Sequence, residues 1–317
     1  MTPGPARGLP VLEPHTVLTA SELYSRICVR DPYFALKDVT VIGQGEVAAG
    51  VPVQQDPDME AGCIGIAEAG RHLAILGSCA AAVVAPREGQ HFYLATGARG
   101  QWLNPEPQAR ASELLRGSAQ AEHTGERTAK AHTLLSSPDG TPLMRLDVDY
   151  DVLPAATFTR LFAKARVDMR REPRLDDGVR RAPEEWAELR QNPYGKPLAL
   201  RDWHPDGECL SAALGPVTAD MCKGHFALHP AMPVAVVAGG MTRVATALLR
   251  RLEGAPSARC VTKGVRLVAH SLAYAGQTVR FSAHRRTREG ADHDFRCWAE
   301  VGERVVAELD ITFTRVD

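Results

Sequence analysis

The chain is organised around one stretch, Lys-Gly-His-Phe-Ala-Leu-His-Pro-Ala-Met-Pro at residues 223–233, which leads into an apolar run from Val234 to Leu249. Proline fits the first turn of a helix, where its missing N–H is not needed, so Pro233 predicts a helix start. Gly239 and Gly240 lie inside this helix, and each glycine costs about 1 kcal/mol relative to alanine. The sequence therefore predicts a buried helix that another part of the protein approaches closely at these glycines.

Bulk composition excludes several function classes. The 317 residues suffice for two domains, at about 150 residues each. A net charge of −1 gives no electrostatic reason to expect nucleic acid or a membrane surface as a partner. The seven cysteines include no Cys-x-x-Cys pair and share no metal-ligand spacing with the histidines. We therefore expect reduced thiols, a cytoplasmic protein and no bound metal.

The first half of the chain predicts helices and strands in a definite order. Thr19 to Glu22 is a capping-box pattern that opens a short helix, and the alternation from Val39 to Val53 is typical of two strands with a turn. An apolar segment from Cys63 to Val84 predicts a second helix. Further strands are expected at 91–94, 112–122, 128–137 and 144–152, with a hairpin turn at Ser137 to Gly140.

The second half repeats this order of elements. Its helix is predicted at 233–250, and its strands at 260–269, 277–285, 294–301 and 304–313. Between the halves, residues 157–197 are rich in arginine, acids and proline, which is typical of a connector. The predicted organisation is an N-terminal arm with a short helix (1–29), a first domain (30–156), the connector (157–197) and a second domain (198–317).

The stretch at 223–233 resembles the signature of the β-hydroxyacyl thioester dehydratases of fatty-acid synthesis, K-G-H-F-P-G-x-P-x-M-P-G, followed along the helix by E-A-x-x-Q. The positions that match in register are Gly224, His225, Phe226, Pro230, Met232 and Pro233. The family's opening segment, H-R-Y-P-F-L-L-V-D-R-V, is matched by Phe34, Leu36 and Asp38. The resemblance implies an α+β double hot-dog fold, in which two antiparallel sheets each wrap round a long helix and form a pseudodimer.

In that family the active site is shared between two hot dogs, one supplying a histidine and the other a helix carboxylate. The carboxylate is expected fourteen positions after the histidine, where this chain has Gly239 after His225. In the first half, Glu68 stands at the carboxylate position and Gln54 at the histidine position. Pairing across the halves therefore predicts one site that keeps both family residues, His225 and Glu68, and one that has lost both.

The chemistry of dehydration suits these two residues. A neutral histidine near pH 7 can take the α-proton of a 3-hydroxyacyl thioester, so His225 is the expected base. Glu68 is the expected acid that protonates the departing hydroxyl group. Burial among Ile64, Ile66 and Leu73 is expected to favour its neutral form.

The resemblance also implies how the substrate is held. Negative charge on the thioester oxygen would meet the amide of Val234 at the helix N-terminus, with Phe226 and Pro233 against the substrate. No cofactor is implied, since the acyl group is carried on a phosphopantetheine thioester of acyl carrier protein or CoA. The chain is expected to act as a monomeric pseudodimer or as a homodimer.

Two other functions remain open. Hot-dog thioesterases use a helix carboxylate to activate water and do not need the histidine. A non-catalytic protein that binds acyl groups or carriers is the other alternative, because Ala227, Leu228 and Val234 depart from the signature. Glu68 would then be a structural acid paired with Arg71 or His72.

Overall fold

A computed structural model describes residues 15–85, 89–104, 114–163, 192–226 and 229–316 of the chain. The helices are α1 (Ala20–Ile27), α2 (Ile66–Val83), α3 (Ala155–Leu161) and α4 (Val234–Glu253). The strands of the first half are β1 (Lys37–Gly43), β2 (Glu46–Val51), β3 (His91–Trp102), β4 (Leu115–Gly125), β5 (Thr128–Ser136) and β6 (Pro142–Pro154). Those of the second half are β7 (Arg201–Asp206), β8 (Cys209–Leu214), β9 (Ala231–Met232), β10 (Arg259–Ala269), β11 (Ala273–Tyr274), β12 (Val279–Glu289), β13 (Asp292–Val301) and β14 (Arg304–Val316).

Twelve of these strands form one continuous sheet. Their order is β1-β2-β4-β5-β6-β3-β10-β14-β13-β12-β8-β7. The two halves have the same connectivity when the order is read inwards from either end of the sheet. From one end the strands are β1, β2, β4, β5, β6 and β3, and from the other they are β7, β8, β12, β13, β14 and β10. The fold is therefore α+β and consists of two hot dogs joined edge to edge, which confirms the predicted architecture.

The two halves are joined by main-chain pairing between β3 and β10. These strands run antiparallel over five residue pairs, from Gly264 opposite Gln101 to Val268 opposite Gly97. Pairing these two strands satisfies backbone groups that an exposed sheet edge would leave open. The junction fixes how the helices of the two halves face each other.

The long helices α2 and α4 pack against each other and against the sheet. A Cβ at Gly239 would contact Ala67 of α2 at 3.5 Å, so the backbones approach closely there. A Cβ at Gly240 would lie 2.6 Å from the ring of Phe281 on β12, so this position has no room for a side chain. The expectation that something comes close at these two glycines is confirmed. No helix within the described ranges combines the length and hydropathy needed to cross a membrane.

Several local predictions are confirmed. Thr19 and Glu22 cap each other at the start of α1, and the amide of Gly140 bonds to the carbonyl of Ser137 in the β5–β6 turn at 2.9 Å. The helix predicted from Cys63 begins at Ile66, because residues 61–65 form a loop, in which the amide of Ala61 donates to the carbonyl of Cys260 on β10 at 2.7 Å.

Other predictions differ from the structure. Strands β7 and β8 were not predicted; β7 is exposed along its whole length at the sheet edge, so it carries no alternating pattern. Helix α3 lies across the predicted domain boundary at residue 156. Residues 1–14 of the arm, 112–113 of the strand predicted at 112–122, and 164–191 of the connector lie outside the described residues. The domain boundaries stay predictions.

Candidate functional site

A cavity of about 110 Å³ lies between α2 and α4. Its walls are the first turns of α2, one face of α4, the loop at 55–60 that precedes α2, and the segment between Pro193 and Leu198. Gly239 is part of the α4 wall and has no side chain to fill the cavity. Both hot dogs therefore contribute to one cavity, as in a shared site.

Glu68 is buried at one wall of this cavity and is held by hydrogen-bond donors. Its carboxylate accepts the backbone N–H of Gln54 at 2.7 Å and that of Gln55 at 3.1 Å. The side chains of Arg71 and His72 lie at 3.6 and 3.5 Å. We expected a mainly apolar environment, but two backbone amides, a guanidinium group and an imidazole surround the carboxyl group. The reason is tertiary, since the loop after β2 folds back onto the start of α2.

Arg71 also lines the cavity and is only 2 % exposed. One of its terminal nitrogens, Nη2, donates to the side-chain oxygen of Gln54 and lies 3.1 Å from Nε2 of His72. The guanidinium lies over the ring of Tyr194, 5.2 Å from the centroid. Burial lowers the pKa of Arg71, and the charge of Glu68 opposes that shift.

His225 is buried in the second half, on the loop before α4. Its Nδ1 lies 2.9 Å from the carbonyl oxygen of Ala231, which accepts the Nδ1–H of the neutral ring. Burial lowers the pKa of His225 to about 4, against a smaller opposing effect of that hydrogen bond. The ring stacks on Phe226 and meets Tyr33 edge-on at 5.0 Å. His225 is thus a neutral, oriented imidazole whose Nε2 is the basic nitrogen.

The loop of His225 docks on the first half of the protein. Gly224 accepts a hydrogen bond from the amide of Arg30, and a Cβ at Gly224 would lie 2.4 Å from the Arg30 carbonyl oxygen. His225 itself forms a β-bridge with Val29. Only glycine fits at position 224, where the backbone has a positive φ of 84°. The histidine loop is therefore positioned by the opposite hot dog.

A pair of tyrosines connects Arg71, the neighbour of Glu68, to His225 through ring contacts. The rings of Tyr33 and Tyr194 contact each other at 5.2 Å. Tyr194 carries Arg71 on its face, and its hydroxyl donates to the carbonyl of Lys223 at 2.8 Å, next to the histidine loop. Among the described residues, no hydrogen bond or ion pair joins His225 to Glu68.

The N-terminus of α4 opens on the cavity. Pro233 is its N-cap, and the Pro233 carbonyl accepts the amides of Val236 and Val237. The amides of Val234 and Ala235 have no acceptor within the described part of the chain, as expected for the first turn of a helix. Ala235 and Val236 line the cavity, so the positive end of the helix dipole is available to an anionic oxygen there.

The positions predicted for the site are thus distributed unevenly. Glu68 and Gly239 line the same cavity, and Gln54 is bonded to Glu68 at its edge. His225, Phe226 and Pro233 are buried beside the start of α4 but do not line the cavity. Ala227 and Leu228 lie outside the described residues. The roles of Glu68, His225 and Val234 stay predictions.

Sequence reasoning missed Glu60, a second buried carboxyl group at the cavity wall. It accepts the amide of Ile66 at 3.0 Å and the hydroxyl of Thr262, on β10 of the other half, at 2.9 Å. Burial raises the pKa of Glu60 to about 7, although both hydrogen bonds oppose the shift. No local sequence signal identifies this residue, since Thr262 is distant in the chain.

Sequence reasoning also missed Tyr194, although a signal exists. Asp31-Pro32-Tyr33 opens the first half, and Asn192-Pro193-Tyr194 opens the second. This short repeat would have placed the two tyrosines at equivalent positions of the two hot dogs. No group of three or more His, Cys, Asp or Glu side chains among the described residues could hold a metal ion.

No protein-family model and no curated protein sequence matches the chain. Solved structures are similar over most of its length. The tesB protein of Mycobacterium avium subs. paratuberculosis has a TM-score of 0.55 at 12 % identity and covers 88 % of this chain and 96 % of its own. The 12:0-ACP thioesterase of Umbellularia californica has a TM-score of 0.53 at 8 % identity and covers 86 % of this chain and 95 % of its own.

A third similar structure is described as a protein of unknown function with a hot-dog fold, from Alicyclobacillus acidocaldarius. Its TM-score is 0.50 at 10 % identity, covering 88 % of this chain and 96 % of its own. Identities this low show the fold alone. Together with the mirrored strand order, they lead to the conclusion that this chain is a double hot-dog protein.

Proposed function

We propose that this protein is an enzyme that hydrolyses an acyl thioester bound between α2 and α4. The observation that carries the proposal is that the carboxyl group of Glu68 and the first turn of α4, through Ala235, line the same cavity. A carboxylate that can accept a proton from water, together with donors that can receive an oxyanion, is what acyl transfer to water requires.

The proposed reaction proceeds by attack of water on the thioester carbonyl. Glu68 takes a proton from the water while the oxygen of the water bonds to the carbonyl carbon. The carbonyl oxygen becomes negatively charged and is stabilised by the amides of Val234 and Ala235. The carbon–sulfur bond then breaks, and the proton from Glu68 passes to the thiolate. The carboxylate keeps acceptor capacity for the water beyond its bonds to Gln54 and Gln55.

Acyl carrier protein or CoA is the proposed carrier of the acyl group. One structurally similar protein is named a 12:0-ACP thioesterase, so the fold is compatible with a carrier-bound substrate. The cavity of about 110 Å³ is smaller than the roughly 300–1,000 Å³ of most ligand sites. We therefore expect a short acyl group to fit best.

Dehydration of a 3-hydroxyacyl thioester is the second candidate, and His225 favours it. A neutral imidazole anchored through Nδ1 presents Nε2 as a general base for the α-proton. Glu68 would have to bind a proton first and give it to the departing hydroxyl group as the carbon–oxygen bond breaks. The substrate would also have to reach His225, which does not line the cavity.

A two-channel assay tests both reactions. The purified protein is given acyl, 3-hydroxyacyl and 2-enoyl thioesters of short and medium length on CoA and on acyl carrier protein. Free thiol and enoyl thioester are measured separately, with heat-unfolded protein as the control. Thiol release supports hydrolysis, and enoyl formation without thiol release supports dehydration. Folded protein that produces neither would contradict both reactions and favour the binding role.

A further inference from the structure

We propose that Arg71 is a further catalytic residue, whose guanidinium Nε–H donates a hydrogen bond to the carbonyl oxygen of the bound thioester. This inference rests on the proposed thioester chemistry and deepens it. It does not depend on which reaction follows. Negative charge grows on that oxygen in the tetrahedral intermediate of hydrolysis and equally in the enolate of dehydration.

The first argument is an unsatisfied donor. Nε of Arg71 is buried and has no hydrogen-bond partner in the part of the chain that the structure describes. The contacts found for the guanidinium, with Gln54, His72 and Glu68, all use Nη2. A buried donor without an acceptor costs free energy, because it has lost its hydrogen bond to water. Such a cost is recovered when a ligand supplies the acceptor.

The second argument is position. Arg71 is 2 % exposed and lines the cavity together with Glu68, one turn earlier on the same helix. The charge of Glu68 holds the cation beside the place where the proposed water would attack. In a buried site the interaction between a cation and a developing oxyanion is stronger than it is in water.

The third argument is orientation. The face of the guanidinium is supported by the ring of Tyr194, and its Nη2 edge is fixed by the side-chain oxygen of Gln54. These contacts restrict a long, flexible side chain to one arrangement. A donor that needs no reorganisation at the moment of reaction is what electrostatic catalysis requires.

The test compares Arg71→Lys, which keeps a positive charge but has no Nε–H, with Arg250→Lys as a matched control. Arg250 donates its Nε–H to the carbonyl of Ala258 at 3.0 Å, away from the cavity. We expect Arg71→Lys to lower kcat/KM by about 100-fold, the scale of losing one oxyanion donor, and the control to leave it unchanged. Thermal unfolding verifies that both variants are folded.

Two further measurements separate catalysis from support of the fold. Added guanidinium should restore part of the activity of Arg71→Ala and none of the activity lost in Glu68→Gln. Wild-type protein should bind a pantetheine ketone, with methylene in place of the thioester sulfur, more tightly than the thioether without a carbonyl. Arg71→Lys should lose this preference. The thioether binds equally to both proteins if Arg71 contacts only the oxygen.

The outcomes distinguish this inference from the proposed function. An active protein in which Arg71→Lys retains kcat/KM and the preference for the ketone would overturn the role of Arg71 and leave the reaction standing. A wild-type protein without either activity would refute the proposed function. In that case a ketone preference lost in Arg71→Lys would still support the carbonyl contact, and equal binding of both ligands would overturn it.

Discussion

The carboxylate of Glu68 accepts the backbone N–H of Gln54 at 2.7 Å, and the two residues are fourteen positions apart in the chain. The same separation relates His225 to Gly239 in the second half. In the first hot dog the helix carboxylate thus binds its own loop. In the second hot dog the equivalent helix position has no side chain, and this leaves room for the cavity.

Glu68→Gln should lower thiol release by about 10²-fold or more, the usual scale of general base help. Glutamine would turn an amide N–H₂ towards a backbone N–H, so we also expect a loss of about 1–3 kcal/mol in stability. Turnover and thermal unfolding are measured side by side. Asp56→Asn, at the same cavity wall, is the control and should keep its activity. Unchanged thiol release in Glu68→Gln would contradict the proposed role.

His225→Ala separates the two candidate reactions. If hydrolysis is the reaction, thiol release should persist, because His225 does not line the cavity. If dehydration is the reaction, enoyl formation should fall by about 10²-fold. A general base must be deprotonated, so wild-type kcat/KM for dehydration should decline only as the pH falls towards about 4, the lowered pKa of His225. A decline in kcat/KM that is already centred near pH 6.5 would argue against His225 as the base.

Glu60 should make the stability of the protein depend on pH. Burial raises its pKa to about 7 from the ordinary value of 4.5, so between these pH values the folded state keeps a proton that the unfolded state has lost. The contribution of protonated Glu60 to the free energy of unfolding is present in full below pH 4.5 and is lost as the pH rises through 7. We expect the melting temperature of Glu60→Gln to rise relative to that of wild type as the pH increases from 5 to 8.

The control for this effect is Glu303→Gln, on an exposed turn. Its melting temperature should follow that of wild type across the same range of pH. A constant difference between Glu60→Gln and wild type from pH 5 to 8 would mean that Glu60 is ionised throughout.

Two helix glycines should respond in opposite directions to alanine. At Gly240 a Cβ would lie 2.6 Å from the Phe281 ring, so Gly240→Ala should cost about 1–3 kcal/mol through overpacking. At Gly70 no atom of the described residues beyond the helix's own backbone lies within 4 Å of a Cβ, so Gly70→Ala should stabilise the protein by about 0.5–1 kcal/mol. Denaturant unfolding measures both. Equal effects at the two positions would contradict the packing of α4 on β12.

The sequence by itself determined the fold and the long helices. Pro233 and the apolar run behind it predicted α4, which begins at Val234. The two glycines in that run indicated a close approach. The repeated order of elements predicted two hot dogs, because hydrophobic periodicity and helix-start signals are local properties of the chain.

Only the tertiary structure decided the surroundings of the candidate site. The run around Glu68 reads as apolar, yet the carboxylate meets the amides of Gln54 and Gln55 because the loop folds back on α2. Tyr33 and Tyr194 are far apart in sequence, and their rings come into contact only in the folded chain. Hydrogen-bond partners and burial depend on what the rest of the chain brings near, and no local pattern records them.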